Sequence, residues 1–64
     1  MNIEWTLCSE RMPQNNPNIT VIVRRHDAIE FYFKQSANIL RNLDDRTKWE
    51  WTPYTKEKWE FLNR

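Results

Sequence analysis

The sequence predicts a small α+β domain: a three- or four-stranded antiparallel sheet with a short C-terminal helix packed on one face. Two observations carry this prediction. Residues 19–24 and 29–34 place β-branched and aromatic side chains with a period of two, the pattern of half-buried strands. Residues 55–62 place apolar side chains at helical spacing after a threonine. With 64 residues, the chain is expected to form a single small domain, residues 1–64.

The composition favours a folded core and argues against a purely electrostatic binder. The chain has four Trp, three Phe and two Tyr, and each large aromatic buries about 150–250 Å². There is no glycine, so turns are expected at Asn, Asp, His and Pro. The net charge of +1 excludes an acidic DNA mimic and gives no support for non-specific nucleic-acid binding.

The chain opens with a short apolar alternation and then a polar loop. Ile3, Trp5 and Leu7 alternate with polar or small neighbours, which predicts a short first strand or an extended arm. Residues 14–18 combine asparagines with a proline and predict a loop.

The two alternating segments are expected to form an antiparallel hairpin. Val23 and Phe33 share a face only if the numbers of paired residues sum to an even number. This condition requires a loop that contains an odd number of residues. Residues 25–27 and 26–28 both satisfy this condition, and the second is preferred because it sets Ile22 opposite Tyr32. The predicted inner face comprises Ile19, Val21, Val23, Ile29, Phe31 and Phe33, and the outer face comprises Ile22, Arg24, Tyr32 and Lys34.

The second half of the chain predicts one more strand and the helix. Residues 35–46 fit either a short helix capped by Ser36 or an irregular crossover. Trp49 and Trp51 alternate with polar residues in a third strand, which Pro53 ends. Thr55 is expected to cap the terminal helix.

Catalytic and metal-binding chemistry find little support. Cys8 and His26 are the single members of their types, and no pattern brings the thiol within reach of the imidazole. One Cys and one His cannot supply the four ligands of a structural zinc site. We therefore expect no enzyme, no cofactor and no metal. A single cysteine, without a leader or long apolar run, predicts a cytoplasmic protein without membrane attachment.

Basic and aromatic residues of the outer face and the C-terminal segment are the candidates for contact with a partner. Trp, Tyr and Arg dominate binding hot spots. The alternative is that the aromatics fill the core and the charges keep the hairpin tip soluble. The candidate residues are Ile22, Arg24, Arg25, Tyr32, Lys34, Tyr54 and Trp59.

Two segments carry a resemblance to a known family. Residues 5–13 read Trp-Thr-Leu-Cys-Ser-Glu-Arg-Met-Pro and precede the Val-rich residues 20–23. Residues 51–54, Trp-Thr-Pro-Tyr, supply a closing Trp with a proline-containing segment. Together they resemble the domain-of-unknown-function 551 family. The chain departs from that family by lacking a glycine after the first strand and by ending without a proline-rich tail.

The resemblance implies a small bacteriophage or prophage protein in the host cytoplasm, and it carries over no catalytic residue. The leading hypothesis is a non-enzymatic accessory protein that binds and modulates a host protein. The alternative is a small nucleic-acid-binding accessory protein that uses Arg24, Arg25, Lys34 and the aromatics on a sheet face. Self-association into a homodimer is also expected, because short sheets with exposed edges often pair.

Overall fold

A computed structural model describes residues 2–64, apart from the side chains of Ile29 and Glu30. The elements, in chain order, are strands β1 (Thr6–Leu7), β2 (Thr20–Arg25) and β3 (Ala28–Ser36), 3₁₀ helices at Ala37–Asn42 and Arg46–Lys48, strand β4 (Trp49–Pro53) and helix α1 (Lys56–Leu62). The strands form one antiparallel four-stranded sheet, and α1 is the only α-helix in the described part. The α+β prediction is confirmed.

The sheet has the strand order β1-β4-β2-β3. Strand β2 pairs with β3 on one side and with β4 on the other, and β4 also pairs with β1. The strand predicted around Trp49 and Trp51 is therefore an interior strand, and it ends at Pro53 as expected. The short β1 and the long β3 form the two edges.

The register of the hairpin confirms that Val23 and Phe33 share a face, but it does not confirm the predicted loop. Val23 pairs with Phe33, so paired numbers sum to an even value. However, Arg25 pairs with Ala28, which leaves only residues 26–27 in the turn. The predicted loop of three residues is therefore wrong.

A β-bulge explains the difference. As β2 advances from Arg24 to Arg25, its partner changes from Tyr32 to Ala28. Extra residues in β3 therefore bring Val23 and Phe33 onto the same face, a role that the prediction gave to the loop. The preferred pairing of Ile22 with Tyr32 is also wrong, because Ile22 pairs with Lys34.

One face of the sheet carries the main hydrophobic core. Its buried residues are Cys8, Val21, Val23, Ala37, Leu40 and Trp51, with Met12, Ile19, Leu43 and Trp49 packed around them. Val21 and Val23 confirm the inner face expected for β2. Phe33 lies on this face because it pairs with Val23, but it remains 40% exposed, and Phe31 is 73% exposed, so neither is a buried core residue. Strand β3 has a neighbouring strand on one side only, so its side chains receive less cover. Ile29, expected on the same face, lies outside the described side chains.

The opposite face is also covered. Ile22 is 0% exposed and pairs with Lys34 on one side and Thr52 on the other. Helix α1 lies over this face, since the Lys58 ammonium donates to Thr52 Oγ1 at 3.0 Å. Ile22 is therefore a core residue, which corrects its assignment to an open outer face. The predicted cap of α1 is confirmed by a 3.2 Å bond from the Lys58 amide to Thr55 Oγ1.

The connection after β3 is irregular and built from 3₁₀ turns. Ser36 ends β3 and occupies the N-cap position of the 3₁₀ helix Ala37–Asn42, so the predicted short helix is present, but the Ser36 side chain makes no capping hydrogen bond. Leu40 anchors the connection in the core. Arg41 Nη1 donates to the carbonyl oxygen of Pro13 at 3.1 Å, which ties the connection to the loop before β2. No helix among the described residues is long and apolar enough to cross a membrane.

Candidate protein-binding surface

Arg24, a predicted contact residue, is committed to the fold. It pairs with Glu50 across β2 and β4, and its Nε lies 2.6 Å from Glu50 Oε1. The guanidinium carbon also stacks 4.1 Å from the centroid of the Trp5 ring. A charge held by a carboxylate and covered by an indole is poorly placed to meet a phosphate.

Arg25 is held by a second carboxylate at the hairpin turn. Its Nε and Nη2 each lie 2.9 Å from an oxygen of Asp27, a two-bond contact in which the guanidinium donates. The hydrogen bond from Arg25 lowers the pKa of Asp27 below its ordinary value. The structure therefore separates the two arginines that were predicted to act together, and it neutralises each locally.

The other predicted contact residues do come together. The Lys34 ammonium lies 4.9 Å from the centroid of the Trp59 ring and 5.4 Å from that of Tyr54. Tyr32 meets Trp59 edge to face, with centroids 6.2 Å apart and an interplanar angle of 83°. We call Tyr32, Lys34, Tyr54 and Trp59 the Lys34 cluster. It spans β3, the segment after β4 and helix α1, and its three aromatic members are half-buried.

An open groove adjoins this cluster at the end of the β2–β3 pair. It has a volume of about 430 Å³ and is lined by Thr20, Lys34, Gln35, Ser36 and Tyr54. Thr20 and Ser36 are register partners, so their side chains leave the sheet on the same face. We call this depression the Lys34 groove. Its lining residues are one lysine, three residues that carry hydroxyl groups and one glutamine.

The β3 edge presents residues that the sequence interpretation placed in the core. Phe31 is 73% exposed and Phe33 is 40% exposed. Phe33 retains one aromatic contact, an edge-to-face arrangement with Trp49 at 6.0 Å and 76°. The sequence does contain a signal, since Phe31, Tyr32 and Phe33 are consecutive, and consecutive residues of a strand cannot all face one core. We call Phe31, Phe33 and the outer backbone of β3 the β3 edge.

The thiol and the imidazole are kept apart. The amide of Cys8 donates to the Trp49 carbonyl and that of His26 donates to the Lys48 carbonyl, so the chain at Lys48–Trp49 runs between them. Burial raises the pKa of the Cys8 thiol. Among the described residues, no group of three His, Cys, Asp or Glu side chains is placed to hold a metal ion. The features that remain for recognition are the β3 edge and the Lys34 groove.

Comparison with known proteins gives one family. The model of a family described as "Protein of unknown function (DUF551)" matches residues 4–60. This span contains the two segments that carried the resemblance and extends into helix α1. The comparisons with curated proteins and with solved structures give no match.

Proposed function

We propose, from the premise that this chain belongs to the DUF551 family, that it is a non-enzymatic accessory protein of a phage or prophage that binds a host protein. It acts in the host cytoplasm, and the bound host protein is thereby modulated. The observation that supports this proposal is the β3 edge, where Phe31 is 73% exposed on a strand with one free side.

The β3 edge offers two kinds of contact at once. Its outer backbone can accept an extended segment of another protein as an additional strand. Its exposed rings gain about 25 cal/mol for each Å² of apolar surface removed from water. Strand addition supplies affinity through the main chain, and the aromatic rings supply an anchor of the type that dominates hot spots. A host protein is therefore a better-matched ligand for this edge than a small molecule.

A site-specific cross-linking experiment tests the proposal. A photoreactive phenylalanine analogue replaces Phe31 in one preparation and Phe61 in a control, since Phe61 is an exposed aromatic on helix α1. After irradiation in host lysate, we expect a discrete cross-linked protein from position 31 and none from position 61. The purified partner should then bind Phe31→Ser at least about tenfold more weakly than the unaltered chain.

Several outcomes would count against the proposal. Equal cross-linking from both positions would indicate non-specific adhesion, and no product from position 31 would remove the support for this edge. Unchanged affinity of Phe31→Ser would move the contact elsewhere. A second copy of this chain is the competing occupant of the β3 edge. Sedimentation at high concentration would reveal such a dimer, and Phe31→Ser should dissociate it.

Nucleic-acid binding is the second candidate function, supported by the Lys34 cluster, where a cation lies beside aromatic rings. It ranks lower because Arg24 and Arg25 are both occupied by carboxylates. A titration with single-stranded DNA at several salt concentrations tests it. True phosphate contact gives an affinity that falls steeply with salt, whereas an absence of binding at low salt would eliminate this function.

A further inference from the structure

The ammonium of Lys34 lies against two aromatic rings and takes part in no ion pair with the described side chains. It lies 4.9 Å and 5.4 Å from the ring centroids of Trp59 and Tyr54, and such contacts restrain a lysine without removing its charge. The two ion pairs of the described residues join Arg24 to Glu50 and Arg25 to Asp27, so Lys34 belongs to neither. A restrained charge loses less side-chain entropy when it binds an anion.

The Lys34 groove surrounds this ammonium with neutral donors. Thr20, Ser36 and Tyr54, three residues that carry hydroxyl groups, line it together with Gln35. Ser36 makes no helix-capping hydrogen bond, although it precedes a 3₁₀ helix. One positive charge beside several hydroxyl-bearing residues matches a ligand group that carries one negative charge and two acceptor oxygens.

We propose that the Lys34 groove binds a carboxylate, presented by an acidic side chain of the protein partner. This inference rests on the proposed function and deepens it by giving the partner's chemistry. Lys34 and Phe33 are neighbours on β3, so their side chains leave the strand on opposite faces. A partner segment added along the β3 edge would place alternate residues on those two faces. The partner strand therefore carries an apolar residue beside Phe33 and an acidic residue toward Lys34.

The composition of the groove favours a carboxylate over a phosphate. A phosphate monoester carries nearly two negative charges at neutral pH and is commonly bound by arginine forks or several cations. Among the residues that the structure describes, no arginine lines the groove, and Lys34 is its single cation. A carboxylate needs only one opposite charge, and its second oxygen is free to accept from a hydroxyl.

The test uses the isolated chain and the small probes acetate and acetamide. Backbone amide shifts are followed by NMR during titration with sodium acetate, with sodium chloride at equal ionic strength as the reference and acetamide as the neutral isostere. We expect saturable shifts confined to residues 34–36 and to Thr20 and Tyr54, with a Kd on the order of 10 mM for a single charged contact. Lys34→Gln should weaken acetate binding by about tenfold, and Lys56→Gln, an exposed lysine at the start of α1, should leave it unchanged.

Each result bears on the inference separately from the proposed function. Acetate shifts equal to those of chloride or acetamide, or an unchanged Kd in Lys34→Gln, would overturn the carboxylate site. Tighter binding of inorganic phosphate than of acetate would also overturn it and favour the nucleic-acid alternative. Because no host protein is present, acetate binding and cross-linking through Phe31 succeed or fail independently.

Discussion

Arg24 and Glu50 face each other across β2 and β4, and the Arg24 Nε lies 2.6 Å from the Glu50 Oε1. Their side chains are only 21% and 12% exposed. The Trp5 ring covers the guanidinium on its other side, with 4.1 Å between the guanidinium carbon and the ring centroid. A charged pair thus fastens the segment before β1 to the two central strands.

Removing the carboxylate of this pair should destabilise the fold. Glu50→Gln leaves a partly buried guanidinium without its counter-charge, and we expect a loss of about 1–3 kcal/mol in the free energy of unfolding. Urea denaturation measures it. Asp27→Asn breaks the exposed pair with Arg25 and serves as the control, with a smaller expected cost because solvent screens that pair. Equal effects of the two substitutions would show that burial of the Arg24 pair has no energetic consequence.

Substitution of Ile22 should destabilise the fold, whereas substitution of Phe31 should leave its stability nearly unchanged. Ile22→Ala removes a fully buried side chain and should cost about 2–5 kcal/mol. Phe31→Ser alters a side chain that is 73% exposed and should change stability by less than about 1 kcal/mol. Thermal unfolding of both variants checks this. A large loss for Phe31→Ser would mean that the ring supports the fold and is not a free contact.

The Cys8 thiol should react slowly with alkylating reagents in the folded chain. Its ionisation should lower the stability of the fold at alkaline pH. Burial raises its pKa above the ordinary value of 9.0, so the folded chain holds the thiol proton more tightly than the unfolded chain. The contribution of the thiol to the free energy of unfolding is complete below pH 9.0 and declines as pH rises above that value. Alkylation at pH 8 should be slow in the native state and fast in urea.

A cysteine-free variant provides the control for that pH dependence. In Cys8→Ser, the part of the decline in stability between pH 8 and pH 10 that comes from the thiol should disappear. Urea midpoints across this pH range measure it. Rapid alkylation of the native chain, or an identical alkaline decline in the variant, would contradict the burial of Cys8.

The cap of α1 should control the Lys34 cluster as well as the helix. Thr55→Ala removes the acceptor of the Lys58 amide, and we expect a cost of about 0.5–2 kcal/mol. Hydrogen exchange at Lys58 should accelerate, and the ring signals of Trp59 and Tyr32 should shift because α1 carries one member of that pair. Lys56→Ala keeps the cap and should leave both signals in place.

Local patterns predicted the elements that depend on local chemistry. The alternation around Val21 and Val23 identified β2 and its core face, Pro53 marked the end of β4, and Thr55 marked the start of α1. The edge position of β3 depends on β4 pairing with β2, a contact between residues far apart in sequence, and no short-range pattern contains it. Phe31 was therefore placed in the core although it is exposed.

The candidate site shows the same division. Lys34, Tyr32, Tyr54 and Trp59 were selected for their chemistry, and the structure brings all four together. Charge alone could not reveal that Arg24 is paired, because its partner Glu50 lies 26 positions away and only the strand register joins them. The bulge in β3 was missed because the alternation on both sides of it remains regular.

The position of β4 between β1 and β2 has a consequence for how the chain reaches this structure during synthesis. Until residue 53 has been made, β1 has no neighbour and the β2–β3 hairpin is a ribbon with one bare side. A two-stranded hairpin is marginally stable in water, and contacts between distant residues form slowly because loops must close first. The nascent chain therefore holds Val21 and Val23 without their Trp51 neighbour until residues 49–53 emerge, an interval in which a chaperone or a second nascent copy can capture the open hairpin.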